Sequence, residues 1–230
     1  MRFVITTTLS VFILMSQAFA FKYTKIEKYL LHKMTPLVEQ NYVDHVTNAH
    51  EWTHQIHADI RRKHCQKNEN GFLVPSLGQK ILKEPPISKS SIAFSIPGAL
   101  KGDHFNHYVV DSKDWENKPT YLIDEWIAYI NGAKAGLELR RQDSNYSRKL
   151  SSGLIELQSY SNILVKAVQN NSSTFFYSKE GKKLKEIVRH LNKISNPLIQ
   201  KILNDKKISS LKDIRHHQNF TQWLQKKARY

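Results

Sequence analysis

The sequence predicts a mainly helical α+β fold, in which a small β insert separates two helices of the first half and more helices follow. Three observations indicate this class. Apolar residues recur at spacings of three and four over most of the chain, short runs of β-forming residues lie between residues 90 and 110, and the 230 residues include only 8 Gly and 7 Pro. A chain of this length can bury a sizeable core, and one domain is expected.

The first half contains two helical patterns. From Lys22 to Lys63 there is no Gly and one proline, Pro36, near which we expect a break between two apolar stripes. Pro119 opens the second pattern, which continues to about Arg141. Each helix is therefore expected to bury one apolar face against the rest of the domain.

The segment between these helices predicts the β insert. Residues 68–89 contain Asn-Glu-Asn-Gly and Pro-Pro and are predicted to form a loop with one short helix or strand. The runs Ile92–Ile96 and His107–Val110 are predicted strands. Three later helices are predicted at Ser147–Val168, at Lys179–Asn204 with a kink or break at Pro197, and at Ser210–Lys227.

The composition excludes several classes of protein. The chain has 35 Lys and Arg against 20 Asp and Glu, a formal net charge of +15, and 40% hydrophobic residues, which excludes collagen-like, low-complexity and wholly disordered chains. A mean hydropathy of −0.52 excludes a membrane protein with several spans. Cys65 is the one cysteine, so no intrachain disulfide can form. The charge predicts an anionic neighbour without identifying it.

Residues 1–20 have the three-part pattern of a secretory signal peptide. A positively charged start precedes a short apolar stretch, and Ala18 and Ala20 occupy the −3 and −1 positions of a cleavage site. The apolar stretch is too short to span a bilayer comfortably. We therefore expect cleavage after Ala20 and a secreted or periplasmic location in a bacterial cell.

The strongest functional signal is His50-Glu51-Trp52-Thr53-His54, an HExxH motif inside a helical pattern. Side chains four residues apart lie one turn apart on the same helix face, so both imidazoles can bind one Zn²⁺. Glu51 lies about 100° around the helix from His50, where it can reach a water without binding the metal. Zinc lowers the pKa of water, and a carboxylate can take its proton as general base. The alternative is an exposed helix face that is merely rich in histidine.

A catalytic zinc usually has a third protein ligand, and the sequence offers three candidates. His57 shares the helical face of the motif, but on a straight helix it lies nearly in line with both motif histidines, which suits a tetrahedral site poorly. Glu125 and Asp124 lie in the second helix. We favour Glu125 because it is one turn from Tyr121 and Tyr129, on the aromatic face that we expect to be buried. His57 and Asp124 stay open as alternatives.

An HExxH helix followed by a helix with a Glu ligand resembles the gluzincin zinc peptidases. The chain is also similar to bacterial exported proteins in which an HExxH helix precedes an Asp-Glu-Trp helix ending in Asn-Gly, and the resemblance covers under half of the sequence. It implies that His50, His54 and Glu125 bind Zn²⁺ and that Glu51 is the general base. The sequence departs from many gluzincins at Tyr129, where they carry an Asp that orients a ligand histidine, so the residue with that role is unassigned.

The same resemblance implies a domain organisation. Residues 21–230 would form a single zincin-like domain, with a catalytic half at residues 21–145 and a helical half at residues 146–230. The helical half is rich in Lys on patterns of Leu and Ile, as in residues 182–188. We expect these amphipathic helices to cover the catalytic half and to expose a basic face.

Hydrolysis of a peptide bond also needs a donor for the developing oxyanion. Tyr129 is one turn past the proposed Glu ligand and is a candidate catalytic residue, as are Tyr108, His104 and His107. Tyr108 lies in the predicted strand His107–Val110, which as an edge strand could pair with the substrate backbone, as in zinc peptidases. An ordinary core position is the alternative for both tyrosines.

These observations predict an exported zinc metallohydrolase, more specifically a peptidase that acts as a monomer on peptide or protein substrates. The alternative is a basic binding module without catalysis, attached to cell wall, membrane or nucleic acid, and its motivation is the net charge. Among anionic partners, a surface of the cell envelope is favoured over nucleic acid.

Overall fold

The computed structural model of the chain describes residues 45–113, 115–139, 148–204 and 211–227. The predicted signal peptide and the helical pattern before residue 45 lie outside these ranges. The described part is mainly helical and contains a two-stranded antiparallel sheet, so the predicted α+β, mainly α class is confirmed. None of the described helices is both long enough and apolar enough to cross a membrane.

Along the chain, the two-stranded sheet lies between the first long helix and the second, as predicted. The elements are α1 (His45–His64), β1 (Glu69–Val74), β2 (Gly78–Lys83), α2 (Lys89–Ser95), a 3₁₀-helix (Gly98–Leu100), a π-helix (Asn106–Asp111), α3 (Tyr121–Leu139), α4 (Arg148–Asn171), α5 (Ser173–Tyr177), α6 (Lys179–Leu203) and α7 (Leu211–Lys227).

The β insert is formed by a hairpin upstream of the predicted strands. β1 and β2 pair antiparallel, with Val74 opposite Gly78. Ser76 and Gly78 have positive φ, and this left-handed backbone closes the turn that joins the two strands. Phe72, Val74 and Leu82 are fully buried, so one face of the hairpin is anchored in the core. The Asn-Gly pair that we assigned to a loop lies inside β1.

The two runs predicted as strands are helical instead. Ile92–Ile96 falls on α2 and its C-cap, and the helix begins after Ser88, whose hydroxyl accepts a hydrogen bond as an N-cap. The first and last residues of this run are both buried and lie four apart, which is the spacing of a helix face. His107–Val110 lies in the π-helix, so the prediction that Tyr108 belongs to an edge strand is wrong. Pairing of that segment with a substrate backbone is excluded with it.

The central helix of the described part is α3. Its residues 122–130 are all buried, because α1 and the hairpin pack on one side and α4 packs on another. Helices α6 and α7 pack in turn on α4. The register of α3 between its neighbours therefore decides which of its side chains can meet those of α1.

The predicted break at Pro197 does not occur, because α6 is one helix over Lys179–Leu203. Pro197 lies on the exposed side of α6. There the backbone carbonyl that lacks its partner N–H can be hydrated, which limits the cost of a proline inside a helix. The opposite side of α6 is apolar and buried, and it includes Leu184, Leu191 and Ile199.

We predict that Gly71→Ala destabilises the chain, because an added Cβ would overlap Cγ2 of Ile60 and lie 2.9 Å from Sγ of Cys65. Overpacking of this kind costs about 1–3 kcal/mol. Gly98→Ala is the matched control, since its Cβ would meet nothing within 4 Å. Urea unfolding should show a lower midpoint for Gly71→Ala only, and equal midpoints for the two variants would contradict the described packing of β1 on α1.

Candidate metal centre

Three predicted ligand residues lie together between α1 and α3. Nε2 of His54 is 3.1 Å from Nε2 of His50 and 3.3 Å from Oε1 of Glu125, and Nε2 of His50 is 3.4 Å from Oε2 of Glu125. One potential ligand atom from each residue lies within 4.8 Å of the other two. The HExxH spacing places both imidazoles on the α3-facing side of α1, and α3 supplies the carboxylate from the opposite side.

The residues present fit a bound divalent cation. Oε2 of Glu125 is buried and has no aligned hydrogen-bond partner within the described part of the chain. Both Nε2 atoms point into the same small space, although two imidazole lone pairs repel unless a proton or a cation lies between them. Two imidazoles and one carboxylate form a donor set typical of zinc. Ligation of Zn²⁺ by His50, His54 and Glu125 stays a prediction with this geometric support.

The two alternatives for the third ligand lie outside this cluster. Asp124 is completely buried, and its Oδ1 accepts hydrogen bonds from Nδ1 of His54 at 2.8 Å and Nδ1 of His57 at 2.7 Å. Its Oδ2 accepts a hydrogen bond from Arg61. Asp124 therefore contacts the far side of a predicted ligand, which is the position of the orienting carboxylate that the sequence left unassigned.

Burial and ion pairing act in opposite directions on both carboxyl groups of α3. Burial alone would raise the pKa of Asp124, but the contacts with His57 and His54 outweigh it and hold the pKa well below its ordinary value. Burial likewise opposes ionisation of Glu125, whereas the nearby imidazoles of His50 and His54 lower its pKa to about 2. Both groups are thus anions at neutral pH, and their two negative charges favour a cation between the ligand atoms, which can be a proton or a metal ion.

Glu51, the predicted general base, lies next to this cluster but is not part of it. Its side chain is exposed on α1. Glu51 directly follows His50 on α1, so its side chain lies about 100° around the helix from that imidazole. A solvent-exposed carboxylate beside two histidines is free to accept a proton from water.

Tyr129 and Tyr108, the predicted oxyanion donors, lie together at the edge of the cluster. Their hydroxyl groups are 3.1 Å apart, and the Tyr129 ring meets the His50 ring edge to face at 4.7 Å between centroids. Burial, as the largest cause, raises the pKa of both phenols, that of Tyr129 to about 12. Both hydroxyls therefore keep their protons at neutral pH and can donate hydrogen bonds.

The two histidine candidates for the same role differ in position. His104 stacks on Tyr108 with 5.9 Å between centroids and meets Tyr129 edge to face at 5.6 Å. His107 is exposed and contacts only the Tyr108 ring among the described aromatic pairs. The structure thus brings His104, Tyr108 and Tyr129 together beside His50, and it leaves His107 at the rim.

Sequence reasoning missed Glu156, which holds this aromatic group in place. Its carboxylate, on α4, accepts hydrogen bonds from the backbone N–H groups of Asp103 at 3.1 Å and His104 at 2.9 Å and from the Tyr160 hydroxyl at 3.0 Å. A side chain at Gly102 would collide with this carboxylate. The available signal was a single Glu within the otherwise apolar run of residues 154–157, because a charge in such a run needs partners.

No family model matches the chain, and no curated protein or solved structure matches it.

We predict that zinc binding at pH 7 releases about one proton per chain. Without a metal, burial would lower the pKa of His54, but hydrogen bonds to Asp124 and Glu125 outweigh it and raise the pKa to about 10. Because the pKa of His54 is higher in the fold than the ordinary 6.5, its proton stabilises the metal-free fold. This stabilisation is fully present below pH 6.5 and is lost as the pH rises through about 10. A metal at Nε2 must displace that proton.

Titration calorimetry in buffers of different ionisation enthalpy measures this proton release directly. His64→Ala is the control, because His64 is an exposed histidine of the same helix outside the cluster. It should release as many protons as the unchanged chain. A zinc affinity that does not rise between about pH 6 and pH 9 would contradict the prediction.

Proposed function

We propose that the chain is an exported zinc metallohydrolase of zincin-like fold, and specifically a peptidase that acts as a monomer. The observation that carries the proposal is the convergence of His50, His54 and Glu125 within 4.8 Å at the interface of two helices. A structural zinc site is usually closed by four protein ligands, whereas three ligands leave a position for water or substrate. The three-residue set therefore favours a catalytic site over a structural one.

The proposed roles follow from where each side chain lies. His50, His54 and Glu125 would hold the Zn²⁺, which when bound polarises a carbonyl group and lowers the pKa of water. The exposed carboxylate of Glu51 would take the proton of the attacking water and pass it to the leaving amine. Neutral hydroxyl groups at Tyr129 and Tyr108 would donate hydrogen bonds to the carbonyl oxygen as its negative charge develops.

The proposed substrates are peptides or proteins outside the cytoplasm. The predicted signal peptide supports a secreted or periplasmic location. An exported domain with a single cysteine has no disulfide to stabilise it, and a metal held between α1 and α3 would supply part of that stability.

We predict that Glu51→Gln keeps zinc and the fold but lowers hydrolysis by roughly 10²- to 10⁴-fold, because the amide cannot accept the proton of water. The measurements are metal content per chain and cleavage of a mixture of fluorogenic peptides. Glu186→Gln, an exposed Glu on α6, is the matched control and should cleave normally. Equal cleavage by the Glu51→Gln variant and the unchanged chain would refute the proposed role.

A second candidate function is attachment to an anionic surface of the cell envelope, and the charge of α6 favours it. This helix contains seven Lys and Arg residues against two Glu. Its buried side is apolar, so the cations lie on or beside the solvent-facing side, where Lys179, Lys182, Arg189 and Lys193 are all exposed. A row of exposed cations on one helix attracts anionic lipids or polymers. Attachment of this kind is compatible with catalysis elsewhere on the molecule.

We predict that the triple change Lys182→Gln, Arg189→Gln and Lys193→Gln weakens binding to vesicles rich in phosphatidylglycerol by roughly 100-fold, at about 1 kcal/mol per cation near the surface. Sedimentation with vesicles at low and high salt measures it, and binding should fall with salt.

The control carries the same loss of charge on three exposed lysines of other segments, Lys67, Lys83 and Lys118. If both triple variants bind equally weakly, net charge rather than α6 is responsible, and the attachment surface is not α6. Vesicle binding should survive His50→Ala, because the proposed zinc site is a separate feature.

A further inference from the structure

Two side chains outside the proposed metal cluster are linked to it through Asp124. Arg61 lies two helical turns past His54 on α1, and its Nη1 donates hydrogen bonds to Oδ2 of Asp124 and, at 3.3 Å, to Oδ1 of Asn70. Asn70 lies on β1. Neither Arg61 nor Asn70 contributes to the cluster of potential ligands.

Asp124 needs Arg61 because its carboxylate is completely buried. Oδ1 is already shared by the Nδ1 atoms of His54 and His57, and Arg61 is the partner of Oδ2. Since the two imidazoles are charged only when protonated, the guanidinium is the permanent positive charge beside this buried anion. With this positive charge beside it, the Asp124 carboxylate stays ionised and can only accept hydrogen bonds. In its contact with His54, Nδ1 must therefore be the donor.

This requirement selects one tautomer of His54. When Nδ1 carries the hydrogen, Nε2 of the neutral ring has the lone pair. That Nε2 is the atom which lies 3.1 Å from His50 and 3.3 Å from Glu125. The contact with Asp124 thus aims the lone pair of His54 at the other two predicted ligands.

Asn70 joins Arg61 to the start of α3. Its side-chain oxygen accepts from Arg61, and its Nδ2 donates to Oγ1 of Thr120 at 3.0 Å. The Thr120 hydroxyl in turn donates to Oε1 of Glu84 at 2.6 Å, and the Thr120 backbone N–H donates to the same carboxylate at 3.1 Å. Because Thr120 directly precedes α3, this row of contacts fixes Arg61 relative to the helix that carries Asp124. Asn70 is 2% exposed, so water does not replace these bonds.

We infer that Arg61 and Asn70 are positioning residues of the metal centre, which act through Asp124 to hold His54 in its metal-binding tautomer and orientation. The inference rests on the proposed function, since it assigns residues to the zinc site proposed above. It also gives the hairpin a role, because β1 supplies the amide that links the row to α3. Changes in residues that support a ligand histidine typically lower metal affinity by about 10- to 100-fold.

The adjacent residue Arg62 provides a matched control. It lies on the same helix and has the same charge, but it is exposed and pairs with Asp59 at the surface. Arg61→Gln should lower zinc affinity, measured by competition with a chelator, by about 10- to 100-fold, and Arg62→Gln should leave it unchanged. Arg61→Lys retains the charge but not the forked geometry, so it should restore part of the affinity.

Asn70 is tested in the same way against a neighbour. Asn70→Ala should lower zinc affinity, as Arg61→Gln does. Asn68→Ala, at an exposed position two residues earlier, should leave zinc affinity unchanged. If Arg61→Gln fails to fold by circular dichroism, Arg61→Lys and Asn70→Ala take its place in the comparison.

A second readout separates positioning from general stability. Long-range ¹H–¹⁵N spectra of the metal-free protein report which nitrogen of each histidine carries hydrogen. When the His54 ring is neutral, it should carry hydrogen on Nδ1 and not on Nε2 in the unchanged chain, and Arg61→Gln and Asn70→Ala should weaken that preference in folded protein. Folded Arg61→Gln and Asn70→Ala variants with unchanged zinc affinity and an unchanged His54 preference would overturn the inference. Failure of the unchanged chain to bind zinc would instead overturn the proposed function, and the inference with it.

Discussion

The docking of α1 on α3 depends on one buried charge, the carboxylate of Asp124. A carboxylate removed from water costs several kcal/mol unless donors surround it, and removal of one partner of a buried pair is strongly destabilising. All three donors come from α1, where His54, His57 and Arg61 recur at helical spacing on one face. Only one register of the two helices satisfies them together. Glu125 follows Asp124 directly, so the same register brings its carboxylate to the HExxH histidines.

Helix periodicity in the sequence was enough to predict that His50, His54 and Glu125 lie together. The HExxH spacing and the choice of Glu125 over its neighbour depend on which residues share a helix face, and the structure brings these side chains together. The partners of Asp124 could not be predicted in this way, because their contacts join residues 63 to 70 positions apart. The sequence offered His57 only as a possible ligand, whereas its observed contact is a hydrogen bond to Asp124.

The predicted strands failed because burial, and not β propensity, decides the structure of short apolar runs. Ile92–Ile96 has β-forming residues, but its two buried positions lie four apart and Ser88 caps a helix there. The hairpin forms where Phe72 and Val74 can both reach the core. An Asn-Gly pair favours a turn in isolation, yet in β1 the tertiary contacts of Asn70 hold it extended.

The second half of the chain does more than cover the first, because α4 contributes to the geometry beside the proposed metal site. Glu156 holds the backbone that carries His104, and Gly153 leaves the space that the Tyr129 ring fills. Several carboxylates of this basic chain are thus buried and engaged internally, while the cations of α6 face solvent. The exposed cations of α6 therefore make this part of the surface positive, and the two carboxylates of α3 favour a cation in the space between α1 and α3. Salt screens the exposed cations far more than the buried carboxylates. Under the proposed functions, the chain attracts an anionic surface outside and a cation within, and ionic strength acts on the first attraction much more than on the second.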